Sequence, residues 1–243
     1  PCPISWDQLT TVNVDDQIWI YSAEAGNYGI YAGGAGAGGG TNSVGREIAA
    51  NQGVWVHASA SGASVTITEA AKQDLVTDFV KTQEELPFFK IKLSNTSNSF
   101  YDEVIVGLDE AATLGYDPDK DGFKLFTSVT TAPSLWMEGG LVPLSLNRIS
   151  TSSGVSLDLH YSSSVIGTHK LLFTNPGVLN FTGCLVLEDM ELNTYTPIID
   201  SLEYSFNSNP LLATGVRFKL HYYPTSEVIS SDAICTGGVD GSI

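Results

Sequence analysis

The most constraining feature of this chain is a strict alternation of apolar and polar residues in several short segments. Residues 155–161, 216–222 and 89–93 each carry an apolar residue at every second position. In the first of these segments, Asp158 and His160 stand between the apolar positions. Because successive side chains of a β-strand point to opposite faces, this pattern predicts antiparallel strands with one buried and one solvent-facing side.

Further short apolar segments have the length and composition of strands. They are residues 18–21, 53–58, 64–68, 103–108, 171–174 and 185–187. Clusters of Gly, Asn, Asp, Ser and Pro separate them, as turns do between short strands. The sequence therefore predicts an all-β protein, an antiparallel β-sandwich or jelly-roll-like fold, in two packed units at residues 1–85 and 86–223.

One segment departs from this pattern, at the boundary between the two expected units. In residues 68–86, Ala71, Leu75 and Phe79 recur at helical spacing, and Pro87 ends the segment. Thr68 is of the residue type that caps helices. The spacing predicts a short helix here.

Charge excludes two classes of partner. The 243 residues include 11 Lys and Arg against 27 Asp and Glu, for a formal net charge of −16. Nucleic acids and anionic membrane surfaces are bound through clustered basic residues, which this chain lacks, so neither is expected as a partner. Its apolar runs are shorter than the roughly 18–20 residues that a membrane-spanning helix needs, so membrane insertion is not expected.

The cysteines and the glycine-rich segment give weaker signals. Cys2, Cys184 and Cys235 have no CxxC spacing, and Cys184 lies in an apolar stretch that predicts a small core residue. A bridge between Cys2 and Cys235 stays open. Residues 33–40 match the spacing of a dinucleotide-binding loop, but they lack its strand and helix context, so a flexible surface loop is predicted.

The sharpest chemical motif is a short run of acidic residues. Asp117, Asp119 and Asp121 alternate and are followed by Gly122, an arrangement that can wrap carboxylate oxygens around Ca²⁺. The twelfth position of an EF-hand loop needs a bidentate Glu, and here it is Ser128. Two interpretations therefore stay open, a calcium site completed from elsewhere in the chain and a solvated Asp-rich turn.

Histidines and carboxylate pairs point to no catalytic residues. The four histidines form neither an HExxH nor an HxH pair, so a histidine-based zinc site is not expected. Asp158 and His160 are interpreted as surface residues of one strand face. A Ser–His–Asp triad cannot be judged by counting residues, and no Gly-x-Ser-x-Gly elbow supports one. Adjacent carboxylates are interpreted as surface charge, and no enzyme is predicted.

Aromatic residues suggest a second kind of site. Tyr28 and Tyr31 flank the glycine-rich segment, where exposed tyrosines can stack on sugar rings. They are the candidate carbohydrate-binding residues. Trp19 and Trp55 lie within apolar segments and are expected to belong to strand cores or faces.

Short motifs in a fixed order give the chain a resemblance to a known group of proteins. They are residues 1–7 (PCPISWD), 18–21 (IWIY), 26–31 (GNYGIY), 51–56 (NQGVWV), 101–107 (YDEVIVG), 111–117 (AATLGYD), 133–136 (PSLW), 141–144 (LVPL) and 233–243 (AICTGGVDGSI). This series resembles large secreted proteins of the Bacteroidetes, and the last motif resembles the start of a module common in gliding adhesins.

The resemblance implies a cargo of the type IX secretion system. Such proteins pass the outer-membrane translocon, which is then a partner during export, and reach the extracellular side or the outer cell surface. It also implies that residues 224–243 are a linker and the start of a following module, so that the chain is an internal piece of a larger protein. The resemblance also implies that residues 117–121 form a structural turn.

These observations lead to a ranked set of expected functions. The first is a non-catalytic structural or adhesion module of a secreted, cell-surface multidomain protein. The second is a carbohydrate-binding module that uses Tyr28 and Tyr31 to bind a polysaccharide or cell-surface ligand. The third is an accessory region of a glycoside hydrolase or another extracellular hydrolase. Ca²⁺ is the one cofactor that the sequence suggests.

Overall fold

The all-β prediction is confirmed. The computed structural model describes residues 2–33, 39–74, 89–150, 153–176, 183–209 and 216–223. Within these ranges the regular structure consists of strands and two single-turn 3₁₀ helices, Trp6–Gln8 and Glu69–Ala71. The second 3₁₀ helix lies at the start of the predicted helix, and most of the remainder of that segment falls outside the described residues. No helix in the described ranges is long and apolar enough to span a membrane.

Seven short strands build the N-terminal part of the protein. They are β1 (Ile4–Ser5), β2 (Thr10–Val12), β3 (Gln17–Ser22), β4 (Asn27–Ala32), β5 (Gly39–Gly40), β6 (Glu47–Ile48) and β7 (Ser64–Thr66). They pair as β1–β6, β2–β7 and β3–β4–β5, all antiparallel. Residues 53–58, predicted as a strand, make only isolated bridges, at Trp55 and Ala58, so that prediction is wrong.

The remaining strands form one large sheet. They are β8 (Phe89–Asn95), β9 (Tyr101–Leu108), β10 (Gly122–Phe123), β11 (Ser134–Gly139), β12 (Val142–Ile149), β13 (Val155–Ser162), β14 (Gly167–Thr174), β15 (Cys184–Asp189), β16 (Thr194–Ile198), β17 (Leu202–Ser208) and β18 (Phe218–Tyr223). Their order is β16-β15-β18-β13-β11-β12-β9-β8-β14-β17, with β10 beside β12. Every pairing is antiparallel except β9 with β12, which is parallel.

This sheet curls until its two ends approach each other. Tyr204 on the terminal strand β17 donates its hydroxyl to Asp189 on β15, 2.9 Å away, next to the opposite terminal strand. The guanidinium of Arg217 joins the same two strands, because it bonds the Asp189 carboxylate and the carbonyl oxygen of Asn207. The result is a large, nearly closed sheet. Whether it is a sandwich or jelly roll of two units stays a prediction.

Alternation along the chain explains how this sheet buries its core. Leu157 on β13 lies opposite Leu220 on β18, and Asp158 lies opposite Lys219 in the next register position. The leucines are buried and the charged residues are half-exposed. Apolar side chains from ten strands meet in one core: Phe89, Ile91, Leu93, Val104, Val106, Leu135, Met137, Ile149, Val155, Leu157, Leu159, Leu171, Phe173, Leu185, Leu187, Ile198, Phe206, Phe218, Leu220 and Tyr222.

The N-terminal strands have a separate small core and meet the large sheet through buried polar contacts and a small apolar cluster of Ala32, Ile105 and Leu146. The small core contains Trp6, Ile18, Ile20, Tyr31, Val44 and Ile48. At the seam, the amide of Asn27 donates to the carbonyl oxygens of Tyr101 and Pro133, at 2.8 and 2.9 Å. Asn27 is fully buried there. A polar side chain buried this way fixes the relative position of the backbones it joins.

The cysteine predictions need correction. Cys2 is a free, exposed thiol, so the bridge between Cys2 and Cys235 is wrong. Cys184, expected as a small core residue, takes part in a disulfide at the start of β15. Its apolar neighbours Leu185 and Leu187 are core residues, and this is why the segment appeared to be a plain buried strand.

Candidate functional site

The predicted calcium residues lie in a turn before β10, where backbone and hydroxyl groups engage two of the three carboxylates. Asp121 is fully buried and accepts hydrogen bonds from the backbone N–H groups of Asp117 and Arg148, both at 2.8 Å. Asp117 accepts from the backbone N–H and the hydroxyl of Thr113, at 2.6 and 3.0 Å. Asp119 is exposed.

These contacts favour the Asp-rich turn over the calcium site, which stays a prediction. An oxygen that already accepts a protein hydrogen bond must give it up or share it to bind a cation. Burial raises the pKa of the Asp121 carboxyl to about 6, even though its two backbone hydrogen bonds and the nearby Arg148 act in the opposite direction. The environment of Asp121 therefore disfavours its charged form.

The two predicted sugar-binding tyrosines have different environments. Tyr31 is 2% exposed and donates its hydroxyl to the carboxylate of Asp7 at 2.9 Å. Its ring belongs to the small N-terminal core and offers no stacking surface, so the proposed pair needs correction. Tyr28 is half-buried and lies edge-on to Tyr21, with ring centroids 5.4 Å apart.

The tryptophans predicted to lie in strand cores or faces also differ from each other. Trp19 is buried on β3 and donates its indole N–H to the carbonyl oxygen of Phe123 at 2.9 Å. Trp55 forms backbone hydrogen bonds with Trp19, yet its side chain is 61% exposed. Of these two tryptophans, only Trp19 is buried in the core.

The richest cluster of chemically active side chains lies on the outer face of five neighbouring strands, β11, β13, β18, β15 and β16. We call this surface the polar face. Strand register builds it directly, because Lys219 lies opposite both Asp158 and Glu188, and Tyr195 lies opposite Glu188. These register positions form a row across four strands, in the order Asp158, Lys219, Glu188 and Tyr195.

Ion pairs and hydrogen bonds hold this row together. Glu188 accepts from His221 Nε2 at 2.8 Å and from the Tyr195 hydroxyl at 2.9 Å. Burial opposes ionisation of Glu188, but these two hydrogen bonds and the nearby positive charges lower its pKa below the usual value. Lys219 donates to Asp158 Oδ1.

Aromatic rings frame the same face. Trp136 stacks on His160, its register partner across β11 and β13, with ring centroids 5.3 Å apart and planes 12° from parallel. Phe126 lies edge-on to Trp136 at 5.2 Å. Phe126 and Tyr195 are 47% and 48% exposed, so two aromatic side chains on this surface are open to a ligand.

A Ser–His pair lies elsewhere, near the start of β14. His169 is fully buried, its Nε2 lies 2.9 Å from Ser163 Oγ, and its Nδ1 lies 3.1 Å from the carbonyl oxygen of Gly167. Burial lowers the pKa of His169. A neutral imidazole bonded to a serine hydroxyl is the first half of a nucleophilic site. The third group is a carbonyl rather than a carboxylate, and Ser163 Oγ also accepts the backbone N–H of Val165, as in a local turn.

Comparison with known proteins gives no match from which a function of these sites could be inferred. No protein-family model matches the chain, and neither a curated protein nor a solved structure matches it. The resemblance to type IX secretion cargo therefore stays a prediction.

Sequence reasoning identified part of the polar face and missed the rest. Asp158 and His160 were identified as one strand face from their spacing. Glu138, Trp136 and Lys219 come from other strands, and a period of two does not specify which strands are neighbours. One sequence signal could have indicated that β13 and β18 are neighbours: the segments of both strands carry polar residues at every second position.

Proposed function

We propose that the chain is a non-catalytic structural or adhesion module of a secreted, cell-surface multidomain protein. The observation that carries this proposal is the disulfide at Cys184, in a nearly all-β chain of high negative charge. Stable disulfides form in oxidising compartments and are rare in the reducing cytosol. A rigid seam of buried polar contacts between the two core regions suits a module that transmits load or presents a surface.

The resemblance to type IX secretion cargo supports the same location and gives the export route. In this proposal the outer-membrane translocon is the partner during export, and the mature chain resides on the outer cell surface or outside the cell. The excess of Asp and Glu provides a well-hydrated surface there.

Thiol trapping in intact cells tests the location. Cells that make the protein are treated with a membrane-impermeant maleimide and with proteinase K before lysis, and the chain is followed by antibody and peptide mass spectrometry. We expect proteolysis in intact cells, labelling of Cys2 and no labelling of Cys184. Cys2 is the internal control, because it is exposed and free. Protection from protease together with a free Cys184 after denaturation would overturn the proposal.

The non-catalytic part has its own test at the Ser163–His169 pair. The purified chain is treated with a fluorophosphonate probe and assayed with ester, peptide and glycoside substrates, beside Ser163→Ala and, as a matched control, Ser164→Ala. We expect neither labelling nor turnover above background. Labelling or turnover that Ser163→Ala abolishes and Ser164→Ala retains would contradict a non-catalytic role.

A second candidate function is carbohydrate binding at the polar face. The observation that favours it is the pair of half-exposed rings, Phe126 and Tyr195, beside carboxylates and histidines on a broad sheet surface. Rings of this kind stack on sugar faces, and the polar groups bond sugar hydroxyls. This site replaces the predicted pair, because Tyr31 is buried.

Native gels that contain a polysaccharide, in which binding retards the migration of the protein, distinguish the polar face from the surface around Tyr28. We expect Tyr195→Ala and Phe126→Ala to weaken retardation by at least fivefold. Tyr28→Ala is the control and should leave retardation unchanged. Retardation that is absent, or that depends on Tyr28 alone, would count against binding at the polar face.

A further inference from the structure

Three metal-ligating side chains converge at one end of the polar face. Glu138 on β11 and Asp158 and His160 on β13 each offer one ligand atom, and these atoms all lie within 4.8 Å of one another. Two of the residues are two positions apart on one strand, and the third lies on its hydrogen-bonded neighbour. Paired strands hold such residues at a fixed separation.

The histidine nitrogen in this cluster is buried without a hydrogen bond. His160 Nε2 is inaccessible to solvent and has no hydrogen-bond partner in the described part of the chain. It lies 3.5 Å from Glu138 Oε2, in a geometry that makes no hydrogen bond. Buried polar atoms in native proteins nearly always have a partner, and an exception requires an explanation such as a bound ion.

The spacing matches an ion better than a hydrogen bond. Ligand atoms at about 2.0–2.1 Å from a tetrahedral Zn²⁺ lie about 3.3–3.4 Å from each other. The separation of 3.5 Å between His160 Nε2 and Glu138 Oε2 is close to this ligand-to-ligand distance. Among the described residues, Asp158 accepts a hydrogen bond from Lys219 through Oδ1, which leaves its second carboxylate oxygen for an ion.

Neighbouring side chains orient the histidine for this role. Trp136 stacks on the His160 ring with planes 12° apart, which restricts rotation of the imidazole. Side chains that are held by packing bind a metal with less loss of conformational entropy. The side chains of His160, Glu138 and Asp158 are 18%, 35% and 33% exposed, so an ion could enter from solvent and would be partly shielded once bound.

We propose that Glu138, Asp158 and His160 form a site for a first-row transition dication, with Zn²⁺ as the best fit. An imidazole with two carboxylates suits Zn²⁺ and its neighbours, whereas Ca²⁺ and Mg²⁺ select oxygen-only sets. Three protein ligands leave one tetrahedral position open toward solvent, where a donor atom from a bound partner can complete the shell. The proposal contradicts the sequence-based expectation of no histidine-based zinc site, and it does not depend on the proposed function.

Metal titration of the tag-free full chain tests the proposal. The background is Cys2→Ser, because a free thiol also binds Zn²⁺. Calorimetry with ZnCl₂ is expected to give one ion per chain, and CoCl₂ is expected to give the intense visible bands of a four-coordinate site. An excess of CaCl₂ should not compete. His160→Ala and Glu138→Gln should each weaken Zn²⁺ binding at least tenfold.

A matched histidine provides the control. His221 lies on the same face and is hydrogen-bonded to Glu188, so His221→Ala removes an imidazole from an ion pair rather than from the proposed site. We expect His221→Ala to change Zn²⁺ affinity less than twofold. Chemical shifts of the His160 ring in the unsubstituted chain give a readout that does not require a variant to fold, and these should move on adding Zn²⁺. Absence of binding, or Zn²⁺ binding that survives His160→Ala unchanged, would overturn the proposal.

Discussion

Asp102 is the buried charge that joins the N-terminal strands to the large sheet. Its carboxylate is inaccessible to solvent and pairs with the equally buried ammonium of Lys124. The backbone N–H of Leu135 and the side-chain amide of Asn42 also donate to it, at 2.7 and 2.9 Å. A buried charge with this many donors is fully compensated, and loss of one charged partner leaves the other without compensation.

Lys124→Met should therefore destabilise the protein by about 3–5 kcal/mol, measured as the free energy of unfolding in urea. Lys170→Met is the matched control, because its pair with Glu203 is 40% and 52% exposed and should contribute about 0–1 kcal/mol. The double variant with Asp102→Asn should lose less than the sum of the two single losses. Equal losses at Lys124 and Lys170 would contradict the role of the buried pair.

Asp121 should make stability depend on pH in an unusual direction. Its folded pKa, about 6, lies above the value near 3.9 of an unfolded Asp, so the native state binds more protons between these values. The contribution of this group to stability is full below pH 4 and is lost as pH rises to 6. The stability of the parent chain relative to Asp121→Asn should fall by about 1–3 kcal/mol from pH 4 to pH 6.5. A stability difference between the parent chain and Asp121→Asn that stays constant or rises with pH would contradict this prediction. The ¹³C chemical shift of the Asp121 carboxyl, followed against pH, measures its pKa directly.

Single residues mark the limit of what the sequence could predict. The spacing of Asp117, Asp119 and Asp121 left a calcium site and an acidic turn open, and it could not show that Thr113 and Arg148 provide hydrogen-bond donors to these carboxylates. Nothing in the sequence connects Asp102 with Lys124, because their contact arises only when separate strands pack together. Buried ion pairs depend on three-dimensional neighbours, which a one-dimensional pattern does not specify.

At the scale of elements, alternation predicted strands well and their partners poorly. The expected strands at 155–161 and 89–93 appear as Val155–Ser162 and Phe89–Asn95. Apolar positions identify the buried face of each strand but not its neighbour. The parallel pairing of β9 with β12 is therefore unpredictable from the pattern, as is the position of β18 between β13 and β15. Residues 53–58, predicted as a strand from their apolar composition, remain outside a strand and make only isolated bridges.

The short strand β5 offers a test of how closely the N-terminal backbone packs. A Cβ atom added at Gly40 would overlap the carbonyl oxygen of Val44, which is backbone and cannot rotate away. Gly40→Ala should thus cost about 1–3 kcal/mol or more and lower the melting temperature. Gly53→Ala is the control, because a Cβ there meets no atom within 4 Å. A melting temperature equally unaffected in both variants would mean that the Gly40 turn relaxes freely.

For the whole molecule, the Cys184 disulfide should be a major source of stability. A native disulfide in a domain of this kind contributes about 2–4 kcal/mol, chiefly by restricting the unfolded chain. Cys184→Ser should lower the free energy of unfolding by that amount, and reducing agent should have the same effect on the parent chain only. Cys2→Ser should change neither, because Cys2 is free and exposed. Reducing agent that leaves the unfolding curve of the parent chain unchanged would contradict this prediction.

The two core regions should nevertheless unfold as one cooperative unit. Each has its own apolar cluster, and a small third cluster of Ala32, Ile105 and Leu146 contains residues of both, so apolar packing alone would couple them weakly. The polar seam strengthens this coupling, because Asn27, Asn42 and Asp102 lose buried hydrogen bonds if the regions separate. A few such groups, at roughly 1–3 kcal/mol each when left unsatisfied, exceed the stability expected of the small N-terminal core.

Two probes on one variant test this coupling and the predicted division at residue 85. In Trp136→Phe, fluorescence reports only Trp6, Trp19 and Trp55, all in the N-terminal part, while far-ultraviolet circular dichroism reports mainly the large sheet. We expect coincident urea transitions by both probes. Adding Lys124→Met should separate them, with fluorescence changing first, because the seam is then weakened. Separate transitions without Lys124→Met would mean that the two parts are independent units and that the buried polar seam fixes their positions without coupling their stability.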